Sequence, residues 1–207
     1  MKEYEILKFN NHAYFLYLVL RSELTDKIWF KNMDTSKFLL IALVLTICAV
    51  VFQLIGLASP YWTVIDATLV KINSGLWKMC TETVSTGDTK CEDVVIADGY
   101  KDDINAVRAM GILGLLVLVV AVIMTVLKLF VLKEKKPILF GAVGTAFAGA
   151  VFILISIAIF ADSAKDMNTL DYDYHFAFAF SIIGMIAAIG AGVVMLVEIK
   201  LVEIIKG

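Results

Sequence analysis

Residues 38–62 read FLLIALVLTICAVVFQLIGLASPYW. From Phe38 to Ala58 no side chain carries a charge, and at 1.5 Å per residue the run reaches roughly 30 Å, the hydrocarbon thickness of a bilayer. It then gives way to Pro60, Tyr61 and Trp62, and tryptophan favours the membrane surface because its ring is apolar and its N–H needs a partner. Three further uncharged runs are also long enough to cross a bilayer: Ala109–Leu127, Ile138–Phe160 and Phe176–Val197. Four spans in one short chain define an all-α membrane protein, a four-transmembrane-helix bundle.

Composition agrees. The chain is 60% hydrophobic and 18% charged, against about 45–50% and about 25% in soluble domains. A net charge of -2 supplies no basic field to recruit nucleic acid. Orientation follows from the lysines. Lys128, Lys133, Lys135 and Lys136 flank the second-to-third connection, Lys200 and Lys206 follow the fourth run, and Lys27, Lys31 and Lys37 precede the first. Positive charge marks the cytoplasmic side. Both termini and the 128–137 turn are therefore expected inside, and segments 59–108 and 161–175 outside. Ser59–Val107 carries eight acids and four lysines, a net of -4, and the second outer loop carries four acids and one lysine, a net of -3.

The chain thus divides into an N-terminal extension (1–37), a four-span unit (38–197) and a cytoplasmic tail (198–207). The extension holds six Lys or Arg and five acids around one apolar patch, Ala13–Leu20, which is too short to cross a bilayer. It reads either as an interfacial helix with Tyr14, Phe15 and Tyr17 at headgroup level, or as residues upstream of an effective start at Met33.

Segment 59–108 changes pattern. Trp62–Ile72, Leu76–Val84 and Thr89–Ile96 carry the Thr, Val and Ile of β-strands, with turn signals at Asn73-Ser74-Gly75 and Ser85–Asp88. A small extracellular antiparallel β-sheet is expected. Cys80 and Cys91 lie on the oxidising side with their midpoint between Ser85 and Thr86, so a hairpin turning there sets them opposite each other. A disulfide closing so short a loop contributes about 2–3 kcal/mol. Cys48, well inside the first span, reads as packed. Trp62 and Trp77 each read as interfacial anchors, and Arg108 as an end-of-span anchor or a cation reaching toward Asp102 or Asp103.

The spans themselves hold no ionisable group apart from the Cys48 thiol, which argues against an ion pathway through one bundle. Gln53, Thr46, Thr125, Thr145, Ser156 and Ser181 read as helix–helix or helix–backbone bonds. Gly141, Gly144 and Ala148 form one small-residue row in the third run, and Ala142, Ala146 and Ala150 a second. Gly184, Ala188 and Gly192 repeat the pattern in the fourth. Such rows allow close helix packing, within the bundle or against a neighbouring copy. His12 and His175 fall on opposite sides of the membrane, and no phosphate loop or nucleophile elbow occurs. No enzyme, cofactor or metal site is expected.

Trp62, then Gly75-Leu76-Trp77, then Cys80 and Cys91, then Arg108 opening the second span, form an ordered set. Over about residues 34–200 it resembles the claudin, peripheral-myelin-protein and epithelial-membrane-protein superfamily. Tetraspanins share the span count but place their large cysteine-rich loop between the last two spans. The resemblance implies a left-handed bundle capped by the sheet, with a strand near Leu170–Tyr174 joining its edge. It also implies that Trp62, Gly75, Leu76 and Trp77 brace the sheet against the membrane. Claudin sheets line up side by side and face those of the next cell, forming a paracellular barrier or pore at the plasma membrane. The implied partners are the lipid bilayer and copies of this chain, or related four-span proteins, in cis and in trans. The alternative is an accessory subunit of a channel or receptor in the same membrane. The terminal Ile204-Ile205-Lys206-Gly207 departs from the Tyr-Val end that claudins offer to PDZ scaffolds, so no such scaffold is expected.

Overall fold

The computed structural model describes residues 37–96, 98–132, 135–166 and 172–206. Chain contacts separate Met1–Phe38 from Leu39–Gly207, and the second unit holds the bundle and its sheet. The expected interfacial helix around Ala13–Leu20 lies outside the described residues.

Among the described residues there are four long helices: α1 (Lys37–Ala58), α2 (Lys101–Val126), α3 (Lys136–Asp166) and α4 (Phe176–Lys206). All four are long and apolar enough to cross a membrane. Three outrun the uncharged runs that announce them. The helical hydrogen-bond ladder continues into water wherever the residues tolerate it, whereas the apolar run stops where lipid does. Asp102 and Asp103 in the first turn of α2 favour this continuation, because acids complement the positive end of the helix dipole. At its far end α2 widens into a π-helical turn, Leu127–Val131, closed by a Leu132 N–H to Leu127 carbonyl bond of 2.7 Å.

Between α1 and α2 stand four strands: β1 (Thr63–Asp66), β2 (Val70–Ser74), β3 (Lys78–Thr83) and β4 (Thr89–Asp93). A two-residue strand, β5 (Asp173–Tyr174), comes from the α3–α4 connection. The sheet order is β4-β3-β2-β1-β5, with every pairing antiparallel. One expectation is corrected: Trp62–Ile72 is not a single strand. Ala67 and Val70 exchange both main-chain hydrogen bonds (3.0 and 3.2 Å) across Thr68-Leu69, so the run folds into a hairpin. A Thr-Leu loop carries none of the Gly, Asn or Asp signals that mark such turns. The third run is also shorter than it reads, ending at Asp93.

Cys80 and Cys91 are direct cross-strand partners and form a disulfide, with Cα atoms 4.0 Å apart. The connecting turn uses Gly87 at φ +71°, a left-handed conformation that glycine adopts without a Cβ clash. Val64, Asn73, Cys80 and Cys91 form one rung across β1 to β4. The first three of them are buried, which defines the inner face of the sheet.

Inside the bundle, small residues set the helix spacing. A Cβ on Gly114 of α2 would lie 2.8 Å from Ile153 and 3.2 Å from the Gly149 carbonyl of α3. Gly149 in turn lies under the Leu118 side chain. Ala142, Ala146 and Ala150 of α3 are buried, and large aliphatics such as Val44, Leu116 and Ile186 point outward, as lipid-facing residues do.

Candidate functional site: the joint between sheet and bundle

A helix ends with four carbonyls that have no partner in the next turn, and near lipid such groups are costly. At the end of α1, three of these carbonyls find donors beyond the helix. The Ile55 carbonyl accepts the Ser59 N–H (3.0 Å). The Gly56 carbonyl accepts the Trp62 indole N–H (2.6 Å), and the Leu57 carbonyl accepts the Trp77 indole N–H (2.8 Å). The two tryptophans therefore cap the first span, and each does so from a different strand boundary.

Trp62 is 1% exposed. Its main-chain N–H donates to the Ser74 carbonyl of β2, and its own carbonyl accepts the His175 N–H just before α4 (both 2.9 Å). Its ring meets Phe160 of α3 edge-on at 4.6 Å and Phe178 of α4 at 5.7 Å. One residue thus touches β2, the β5–α4 junction and three helices. Beside it Tyr174 stacks on Phe178 at 4.4 Å. A hydrogen bond to Tyr174, with some burial, raises the Tyr172 hydroxyl above the ordinary tyrosine range.

Gly75-Leu76-Trp77 forms the connection between β2 and β3, with the Gly75 N–H bonded to the Lys78 carbonyl at 2.9 Å. Its tip dips toward the bundle. Leu76 is 1% exposed and packs among Leu57, Trp62 and Val107. A Cβ at position 75 would collide with the Pro60 backbone and the Ser59 carbonyl, so the hairpin can pass over the end of α1 only with glycine there.

Arg108 lies in the second turn of α2. Its guanidinium donates from Nε and Nη2 to the Leu76 carbonyl (2.8 and 2.5 Å) and from Nη1 to Asn105 (3.3 Å). Its carbon lies 4.8 Å from the centre of the Trp77 ring, within cation–π range. The expected reach toward Asp102 or Asp103 is corrected: a planar fork with several donors suits a carbonyl and an aromatic face together. Asp103 instead accepts the Ser163 hydroxyl of α3 at 3.2 Å.

The joint brings together Trp62, Gly75, Leu76, Trp77 and Arg108. Cys80 and Cys91 sit beyond it, clipping the outer hairpin. The glycines of the spans part company. A Cβ on Gly184 of α4 would lie 3.2 Å from the Ala49 carbonyl of α1, and one on Gly192 would lie 2.9 Å from the Phe147 ring of α3. A Cβ on Gly141 would lie 2.6 Å from the Met124 side chain of α2. Gly144 has nothing within 4 Å of its Cβ position and is exposed, as is Ala148, so that row does not pack the bundle along its length.

Several partners escape a sequence reading. Gly111, Gly114 and Gly149 are contact residues, and the three-residue spacing of the first two was the available signal. Gln53 and Ser156 cross to α2, reaching the Gly111 carbonyl (3.4 Å) and the Val107 carbonyl (2.9 Å). Thr46, Thr145 and Ser181 bond within their own helices, and Thr125 bonds within α2 and also reaches the Met195 sulfur of α4 (4.0 Å). Phe160 and Phe178 carried no signal beyond being apolar.

The joint holds a mechanical constellation: indoles, a guanidinium, helix-end carbonyls and a disulfide-clipped hairpin. It defines a four-span membrane protein whose small antiparallel sheet is fastened to the end of its first helix. The chain belongs to the PMP-22/EMP/MP20/Claudin family, whose model matches residues 35–195. A comparison with curated proteins finds no match.

Proposed function

We propose that this protein joins or organises plasma membranes, assembling laterally and in trans through its sheet, with both termini cytoplasmic. The observation that carries the reading is the state of β4. It ends the sheet, pairs only with β3 among the described strands, and all five of its residues are exposed. An open strand edge is a ready template for another chain. The joint supports the same reading, because a sheet bolted to the bundle can transmit the position of one chain to its neighbours. Lys128, Lys135 and Lys136 lie at the end of the bundle opposite the sheet, which supports a sheet facing outward. Suspended cells expressing the protein should aggregate with one another and exclude non-expressing cells. Indifferent mixing contradicts the proposal.

A paracellular role in this family comes as barrier or pore. If this chain lines a pore, its acidic outer segments favour cations, because carboxylates repel anions.

A second reading, an accessory subunit, draws on the exposed Gly144 and Ala148. Gly184 and Gly192 are occupied within the bundle, so replacing them would disrupt the fold before it reported on a partner. Gly144→Leu is the discriminating change: it should abolish co-purification of a membrane partner while leaving delivery to the surface intact.

A further inference from the structure

The uncharged run of the fourth span stops at Val197, but α4 does not. The next residue, Glu198, is 2% exposed, and its Oε2 has no hydrogen-bond partner among the described residues. The reading that the spans hold no ionisable group other than a thiol is therefore incomplete. A carboxyl buried in a membrane helix, one turn beyond an apolar cluster, is costly to keep and calls for a counter-charge. A cation at the same level of the bundle is Lys128, three residues beyond Thr125 as Glu198 is three beyond Met195.

The placement of Lys128 follows from helix register. α2 and α4 run in the same direction, both away from the sheet. Their inner halves meet at Thr125 and Met195, where the hydroxyl lies 4.0 Å from the sulfur. Three residues on along each helix come Lys128 and Glu198, the next rung of the same contact. At this rung α2 stops being an α-helix and widens into the π-helical turn Leu127–Val131. Such insertions re-aim side chains and recur where a helix does more than pack. Lys128 also donates to the Lys135 carbonyl at 3.4 Å, which ties it to the connection leading into α3. An ammonium has three donors, so it can hold that carbonyl and a carboxylate oxygen together.

We propose that Glu198 and Lys128 form a charge clasp. The pair locks the inner end of α4 to the π-turn of α2 and to the α2–α3 connection, closing the bundle at the end opposite the sheet. Two fasteners then hold the two ends of the molecule. The aromatic joint fixes the sheet end, and this pair fixes the inner end, where the chain would otherwise present a buried uncompensated charge.

A double-mutant cycle on the full-length protein in detergent micelles, unfolded by SDS titration, tests the clasp. Lys128→Gln and Glu198→Gln should each lower the folded-to-unfolded ratio by about tenfold or more. The double variant should lose no more than the worse single one, because the interaction is already gone. Lys128→Arg, which keeps the charge, should retain the wild-type ratio. Should Glu198→Gln fail to fold, Glu198→Met removes the buried carboxyl without leaving an amide, and Lys128→Gln should have no further effect in that background. Losses that multiply in the double variant, or a Lys128→Gln variant that behaves as wild type, overturn the proposal.

Discussion

The Trp62 indole N–H donates to the Gly56 carbonyl at 2.6 Å, tying the start of β1 to the last turn of the helix that precedes it. Six residues separate the two, and between them the chain leaves lipid and enters a sheet. The same indole shields that carbonyl from water, so the bond cannot be replaced by solvent.

Trp62→Phe keeps the aromatic packing on Phe160 and Phe178 but orphans the Gly56 carbonyl. A buried acceptor left without a donor costs about 1–3 kcal/mol. Trp77 is 41% exposed and its bond to the Leu57 carbonyl is only partly buried, so Trp77→Phe should cost less. Thermal unfolding of detergent-purified protein checks the order. Equal losses from the two substitutions would contradict it.

The disulfide closes a short loop on an exposed strand, and its removal should cost about 2–3 kcal/mol. Cys91→Ser is the cleaner variant, since Cys91 is exposed while Cys80 is buried. Reductant should lower the melting temperature of the wild type to that of Cys91→Ser, and leave the variant unchanged. A variant that still responds to reductant would show that some other bond was being measured.

Two glycines separate packing from exposure. Gly114→Leu forces a side chain into Ile153 and the Gly149 backbone and should cost about 1–3 kcal/mol. Gly144→Leu meets open space and should stay within about 0.5 kcal/mol of wild type. Denaturant titration of both in one detergent reads the difference, and a destabilised Gly144→Leu would place that residue at a contact.

If expression raises the conductance of an epithelial layer, dilution potentials should show cation preference. The sign follows from a net of -4 over Ser59–Val107 and -3 over the second outer loop. Anion preference would sink the charge argument.

The parts of this fold that were legible in the sequence are those set by local composition. Four uncharged runs announce four helices because lipid demands unbroken apolar length. Cys80 and Cys91 announce their hairpin because pairing is symmetric about its turn. Less legible was whatever depended on atoms distant in the chain. Arg108 meets a main-chain carbonyl 32 residues away, which no side-chain pattern encodes. The β1–β2 hairpin turns on Thr68-Leu69, whose residue types suit a strand. Glu198 looked like the first residue of a tail because hydropathy ends at Val197, while the buried face of α4 continues through Met195 to Glu198.

The fastened sheet matters to function only if it meets another sheet, and its behaviour at cell contacts measures that directly. In a layer mixing cells that express the tagged protein with cells that do not, it should concentrate where two expressing cells touch. It should stay diffuse where an expressing cell meets a bare one. Equal accumulation at both kinds of border, or uniform staining throughout, would contradict assembly in trans.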